Sequence, residues 1–438
     1  MSRLIVQKFS CIEQADIELA NLTLIIGPQA SGKSLISKLI YFFYEIILRQ
    51  YQSLEEASSI QKFKVELEDK FKRWFPPSGW GKEKFSIKFE AGPFSASIRR
   101  SSLEVAEKVS VSFSKFFSNE YTSLLTALKE AIEKEAKANS NSELDPEKKI
   151  RLFWHIQRLA EEKFKKALGK DSLNTQIFIP AGRSFFTNIG KGIAVFEHSK
   201  AMDSTTISFG RLFSYLISDP NWRFMFQRGK DPANSYQKEF KKKLLGGEIE
   251  HLRNGEINLV TEDGRKLSLP YTSSSQQELY PLLLTLEYVE RIQQRVKHIS
   301  KDSKLLLFIE EPEAHLFPSA QAAIIDYIAS LAVEVPNPNR TLITTHSPYI
   351  LAQVNNLLKA GQLADKMGGS VHSKLGKIIR KESWLPPGST AAYAIVDGRS
   401  RSIVEDGLID GSYIDDASAE ISHRFASLLE IEYGNAKE

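Results

Sequence analysis

The sequence predicts an α/β fold interrupted by a largely helical insertion, and three observations predict it. A wholly apolar run, Leu22–Ile26, leads through a glycine-bearing loop straight into a periodic helix. Two further apolar runs, Lys304–Ile309 and Thr341–Thr345, are separated by one helical stretch, as expected of strands buried on both faces of a sheet. Between them and the first run, residues 51–174 change texture to polar, helix-patterned segments.

The elements follow in order. Leu4–Phe9 and Ala15–Leu19 read as strands around a turn, ahead of Leu22–Ile26. From Ser34 to about Arg49, Leu35, Ile36, Leu39, Ile40, Phe43, Ile46 and Ile47 recur at three- and four-residue spacing, which places them on one helical face. Ser53–Trp74, Ser118–Ala138 and Pro146–Leu168 read as helices around a hairpin, Phe85–Phe89 with Pro93–Arg99, and the run Asn139–Leu144 reads as a loop. A strand at Gln176–Ile179 ends at Pro180. Asp263-Gly264 turns a second hairpin, Ile257–Thr261 with Lys266–Leu269. Helices at Gln276–Val296 and Ser319–Val333, a hairpin at Ala391–Val396 and a helix at Asp416–Glu430 complete the reading. The expected division is 1–50 and 175–360 as one unit, 51–174 inserted in it, and 361–438 as an α/β extension.

Composition narrows the class. A chain of 438 residues is long enough to bury a core without metal or disulfide support. With 58 basic and 54 acidic side chains the net charge is only +4, so any nucleic-acid face must be local. The single cysteine, Cys11, cannot form an internal disulfide, and the first residues lack a leader pattern, which suggests a reducing cytoplasm. The longest apolar run, Leu35–Leu48, is broken by Ser37, Lys38 and Glu45 and is too short to span a membrane.

The loop Gly27-Pro28-Gln29-Ala30-Ser31-Gly32-Lys33-Ser34 matches G-x-x-x-x-G-K-[ST] between a strand and a helix, the context that gives this pattern meaning. Gly27 and Gly32 permit the turns, and the N–H groups from Gln29 to Ser34 can wrap phosphates at a helix N-terminus. Lys33 would neutralise the β/γ charge, and the Ser34 hydroxyl would sit on Mg²⁺. The strand Leu305–Ile309 runs into Glu310 and Glu311. A carboxylate at that edge, on a strand expected beside the one that feeds the loop, can reach the metal, and its neighbour can polarise water. Glu310 is thus the metal-side candidate and Glu311 the general base.

These residues extend into Glu310-Glu311-Pro312-Glu313-Ala314-His315-Leu316-Phe317-Pro318, which resembles the extended Walker B and D-loop of ABC-type ATPase heads of the overcoming-lysogenization-defect, RecF and SMC-like group. Thr341–Pro348 resembles the same group's switch strand, which implies that His346 contacts the γ-phosphate. Tyr271-Thr272-Ser273-Ser274-Ser275-Gln276-Gln277-Glu278 is similar to the signature segment that acts in trans. The resemblance implies a P-loop NTPase of ABC head type with a mixed sheet, hydrolysing Mg-ATP as a head-to-tail homodimer with two sandwiched nucleotides. Ser273 or Ser274 would supply the hydroxyl, with Ser275 and Gln276 completing the anion site. Ser275 stands where the family has Gly, which implies slow or partner-stimulated hydrolysis. A serine run at a helix start is equally an ordinary N-cap.

Ile177-Phe178-Ile179-Pro180-Ala181-Gly182-Arg183 looks like a segment of stand-alone ATPases of antiphage operons, and Arg183 would either approach nucleotide or a partner head, or cap a turn. The likeness to Septu-, PARIS- and retron-associated subunits implies a cytoplasmic sensor that gates a separate effector, a nuclease or toxin. The tail lacks the D-x-D of a TOPRIM nuclease. The alternative is a RecF/SMC-like clamp on DNA. For it speaks the segment 222–243, where Arg223, Arg228, Lys230, Lys238, Lys241, Lys242 and Lys243 face only Asp231 and Glu239 and aromatic residues are interleaved. A solvated helix face is the bland reading of the same residues. A transporter ATPase is a third reading, weakened by the size of the insertion.

Overall fold

A computed structural model describes the chain except for residues 56–58, 101–107, 139–145, 191, 198–201, 219–231, 253–255, 300–303, 334–338, 412–422 and 424–438. The helix expected at Asp416–Glu430 therefore lies outside the described residues, apart from His423.

In chain order, β1 (Arg3–Phe9), β2 (Ile12–Glu18) and β3 (Leu22–Ile26) precede α1 (Lys33–Glu55) and α2 (Ile60–Trp74). Then come β4 (Phe85–Ala91), β5 (Phe94–Arg100), β6 (Ser110–Phe113), α3 (Lys115–Ala138), α4 (Pro146–Leu168) and β7 (Thr175–Ile179). Two short helices, α5 (Ser184–Ile189) and α6 (Ile193–Glu197), are followed by α7 (Ser204–Ser218) and α8 (Pro232–Leu245). The small sheet β8 (Gly247–His251), β9 (Ile257–Thr261) and β10 (Lys266–Ser268) leads to α9 (Ser274–Ile299). Next come β11 (Leu305–Glu310), α10 (Pro318–Val333), β12 (Arg340–Thr345), α11 (Pro348–Met367), α12 (Gly369–Gly376), β13 (Thr390–Val396) and β14 (Arg399–Ser402), followed by the two-stranded ribbon β15 (Val404–Glu405) and β16 (Leu408–Ile409).

Among the described residues, eleven strands form one mixed sheet in the order β6-β5-β4-β1-β2-β14-β13-β3-β12-β11-β7. From β13 through β3, β12 and β11 to β7 all pairings are parallel, whereas β1, β2, β4, β5 and β6 pair antiparallel with one another, and β14 joins the two halves, parallel to β2 and antiparallel to β13. The hairpin expected near residues 85–99 exists as β4 and β5 and continues the main sheet beside β1. Strands β6 and β8 were not legible in the pattern, because Ser110–Phe113 and Gly247–His251 are short and carry few apolar residues.

Both faces of the parallel half are covered, which is why its strands are continuously apolar. In β11, Leu306 and Phe308 enter one core with α1, α2, α3 and α4, while Leu305, Leu307 and Ile309 enter the other with α9, α10 and α11. The first core is rich in aromatic contacts: Phe63 stacks on Tyr121 at 5.1 Å, and Tyr41 meets Phe308 edge-on at 5.4 Å. Helix α1 runs past the expected Arg49 because Leu54 is still buried in that core.

One expectation is corrected. β11 is not adjacent to β3; β12 lies between them, paired in register with both. The crossover through α10 puts β12 in the slot next to the loop-bearing strand, so the strand carrying His346 stands between the phosphate loop and the carboxylates. At the far end of β12, Arg340 bonds Asp171 at 2.5 Å, the Ser2 hydroxyl at 2.9 Å and the Tyr44 hydroxyl at 3.2 Å, all buried.

Candidate functional site

The loop sits where β3 ends and α1 begins, and its two glycines are required by its surroundings. A Cβ on Gly27 would stand 2.6 Å from the Ile395 carbonyl oxygen. Gly32 has φ +98° and a Cβ there would stand 2.4 Å from Ile12 Cδ1, so only glycine fits the conformation and the space. Lys33 is buried and its Nζ donates to the carbonyls of Gly27 and Pro28, each at 2.8 Å. Burial lowers the Lys33 ammonium below its ordinary value, with Glu311 and Glu313 pulling it back up. Pro28, Gln29, Ala30 and Ser34 face solvent, and the buried Ser31 Oγ has no hydrogen-bond partner among the described residues.

Glu310 and Glu311 differ sharply. Glu310 is buried; its Oε2 accepts from the Ala181 N–H at 3.4 Å and its Oε1 has no partner among the described residues. Burial raises its carboxyl above the ordinary range, against the nearby Lys38 charge and Ser34 hydroxyl. Glu311 is part-exposed, takes the left-handed φ of +43°, and donates its N–H to the Thr344 carbonyl at 2.9 Å. Its carboxylate lies 3.7 Å from His346 Nδ1. Lys38, one turn beyond Ser34, pairs with Asp203 at 3.3 Å. Burial alone would raise Asp203, but Lys38 and bonds from Thr205 and Thr206 hold it at about 2.

The Glu310 oxygen left unpartnered in a buried site beside Ser34 suits a hard cation, which binds oxygen donors. Among the described residues no group of three or more His, Cys, Asp or Glu side chains is gathered for a metal. Two donors plus phosphate oxygens is the usual way in which Mg²⁺ is held.

Sequence reasoning missed Glu313 and Glu278 as site residues. Glu313 is buried, and its Oε1 accepts from Thr345 Oγ1 at 2.7 Å and from the His346 N–H at 2.9 Å, so it anchors the end of β12. Glu278 is buried within α9 and its carboxylate accepts from the N–H groups of Arg183 and Ser184, each at 3.2 Å. An acid embedded among Leu279, Leu282 and Leu283 was the signal available for it.

Arg183 is only 1% exposed, so of the readings open in the sequence, approach to nucleotide or to a partner is overturned. Its guanidinium is spent inside the chain, donating to the carbonyls of Pro180, Glu310, Glu311 and Glu278 at 2.8–3.3 Å.

Residues 273–276 form a reciprocal cap at the start of α9. The Ser273 N–H donates to Gln276 Oε1 at 2.9 Å, and the Gln276 N–H donates to Ser273 Oγ at 3.4 Å. Gln276 also donates through Nε2 to the Leu245 carbonyl at 2.8 Å, and Ser275 Oγ lies 3.0 Å from Ser273 Oγ. Ser274 is exposed and its hydroxyl makes no hydrogen bond among the described residues. The ordinary-cap reading thus describes Ser273 and Gln276, while the Ser274 side chain faces solvent.

In the basic segment, Arg223, Arg228 and Lys230 lie outside the described residues. Lys238 pairs with Glu248 at 3.2 Å, Lys241 with Glu287 at 2.6 Å and Lys242 with Glu248 at 3.7 Å, while Phe240 packs on the core. Among the described residues no helix is long and apolar enough to cross a membrane.

Sheet, loop and carboxylate strand define an α/β phosphate-loop NTPase. Residues 112–351, more than half of the chain, match the AAA ATPase domain family, and the chain belongs to that family; the loop 27–34 lies outside the matched residues. Solved structures similar to it include the SMC head domain from Thermotoga maritima, at 13% identity and TM-score 0.35 over 92% of this chain and 97% of that one. Another is the Smc head domain with an extended coiled coil bound to the C-terminal domain of ScpA from Pyrococcus furiosus, at 14% and 0.36 over 96% and 100%. A third is the recombination mediator protein RecF with ATP, at 13% and 0.31 over 91% and 98%. No curated protein matches the sequence.

Proposed function

We propose that the chain is an ABC-type ATPase head of the SMC/RecF-like kind that binds and hydrolyses Mg-ATP, dimerises head to tail on nucleotide, and serves as the sensor and gate of a separate nuclease or toxin in antiphage defence. The observation that carries the ATPase part is the set Lys33, Glu310, Glu311 and His346 gathered at the C-terminal ends of β3, β11 and β12, with Lys33 feeling the charge of Glu311. The defence part is supported by the likeness of Ile177–Arg183 to a segment of stand-alone ATPases of antiphage operons. Ion pairing of Lys238, Lys241 and Lys242 weakens the DNA-clamp reading.

In this reading the N–H groups from Gln29 to Ser34 wrap the β- and γ-phosphates, and Lys33 leaves the Gly27 and Pro28 carbonyls to neutralise them. Ser34 and Glu310 would hold Mg²⁺, which supplies charge neutralisation at the phosphate oxygens when bound. Glu311 accepts a proton from water as its oxygen bonds to the γ-phosphorus and the bond to the β–γ bridging oxygen breaks. His346, held by Glu313 through its own N–H, reports the γ-phosphate. Ser274 of the partner copy completes the anion site.

The test is Glu311→Gln in the full chain. It should bind ATP, release phosphate about 10²- to 10⁴-fold more slowly, and accumulate as a dimer with ATP. Wild-type turnover by this variant would remove Glu311 as the base.

A further inference from the structure

The buried pair Arg183 and Glu278 joins two parts of the site that are far apart in the chain. Side-chain exposure is 1% for Arg183 and 4% for Glu278, and Arg183 Nε stands 3.4 Å from Glu278 Oε2. The other donors of the same guanidinium fan out to the Pro180 and Glu310 carbonyls from Nη1, at 3.1 and 2.8 Å, and to the Glu311 carbonyl from Nη2, at 3.1 Å. Glu278 in turn grips the turn after β7 through the Arg183 and Ser184 N–H groups.

We infer that Arg183 and Glu278 form a strut through which a γ-phosphate docked at Ser274, on the start of α9, repositions Glu311 of the same chain. The inference rests on the ATPase reading proposed above. Four residues of helix, about 6 Å, separate Ser274 from Glu278, and a helix transmits such a displacement as a rigid rod. At its far end the strut bonds the carbonyl of Glu311, a non-glycine residue at φ +43° whose N–H and carbonyl also bond the Thr344 carbonyl and the Ala314 N–H, so the guanidinium is the one side-chain hydrogen-bond donor to that strained backbone among the described residues. A planar guanidinium fixes this fan of acceptors, whereas an ammonium is a compact point charge that cannot span them. A buried ion pair adds little stability over apolar packing of the same shape, so the geometry it imposes is its distinctive product. Arg183 and Glu278 are therefore positioning residues for Glu311.

The experiment uses the full chain as wild type, Arg183→Lys, Glu278→Gln and the double variant. Each is measured for affinity for a fluorescent ATP analogue with Mg²⁺, for kcat and for thermal melting. The expected result is a fall in kcat of about tenfold or more in each single variant, with analogue affinity within about threefold of wild type. The double variant should be no slower than the slower single, as two ends of one strut require. Either single variant turning over within about twofold of wild type would overturn the inference, as would analogue affinity falling in step with kcat, which a purely structural role would produce. Glu278→Gln, which keeps shape and an accepting oxygen, decides the matter if Arg183→Lys does not fold. A wild type that neither binds nor hydrolyses ATP would bring down the ATPase reading and the strut with it; a working wild type with unaffected variants brings down the strut alone.

Discussion

Substituting Gly32→Ala tests whether the loop is held in its shape by the neighbouring β1–β2 turn. Two costs add. At φ +98° an L-residue is strained by about 1–2 kcal/mol. The new Cβ would also lie 2.4 Å from Ile12 Cδ1, 3.2 Å from Ile12 Cγ1 and 3.0 Å from Cys11 Sγ. Ile12 is fully buried, so relief needs repacking, which costs roughly 1–3 kcal/mol. The sum is about 2–5 kcal/mol. If the loop keeps its shape, this appears as a lower urea midpoint; if the loop relaxes, it appears as ATP affinity weakened by roughly thirtyfold to a few thousandfold. Adding Ile12→Val removes the atom in closest contact at about 0.5–1.5 kcal/mol of its own. The double variant should then recover about 1 kcal/mol relative to the sum of the two singles. A Gly32→Ala protein with wild-type midpoint and wild-type affinity would refute the reasoning, and strict additivity would refute the contact with Ile12.

Other predictions follow the same logic. Gly361→Ala places a Cβ 1.8 Å from the Leu385 backbone oxygen, so α11 must shift; a loss of about 3 kcal/mol or more should appear in urea unfolding with ATP affinity per folded molecule retained. Arg340→Met removes the shortest bond to the buried Asp171, leaving it the Met1 ammonium at 3.4 Å, and should cost about 3 kcal/mol at neutral pH. Burial alone would raise the Asp171 carboxyl, but Arg340, with the Met1 ammonium and the Ser2 hydroxyl, holds it below its ordinary 3.8. The wild-type stabilisation is thus complete above 3.8 and is lost as pH falls through the lower folded value, so the gap between the two proteins should narrow as the carboxyl protonates in acid unfolding curves. Glu310→Ala should abolish the Mg²⁺ dependence of ATP affinity while leaving metal-free nucleotide binding, read by calorimetry with and without chelator.

Much of the site was legible because its residues are contiguous. Gly27 to Ser34 announce themselves by two glycines, a lysine and a hydroxyl at set spacing, and Glu310 and Glu311 by the abrupt end of an apolar run. Glu313 stands in the same run, but its role depends on Thr345 and the His346 N–H, 32 and 33 residues away, which bond its oxygen. The serine run shows the limit from the other side. Ser273 and Ser274 have the same chemistry in the sequence, and only the turn geometry commits Ser273 to Gln276 and leaves Ser274 to solvent.

What the amino-acid order by itself determined is the set of local objects: strand, loop and helix from 22 to about 49, and an apolar strand closed by the carboxylates Glu310 and Glu311. Backbone propensity, side-chain periodicity and glycine conformations act over a few residues, so they can be read along the chain. The tertiary structure alone decided that β12 stands between β3 and β11, that Ile12 presses on Gly32, and that Arg183 reaches Glu278 across 95 residues. Those outcomes depend on strand order and on the burial of charges with few acceptors in reach, and both are settled only when distant segments compete for the same space.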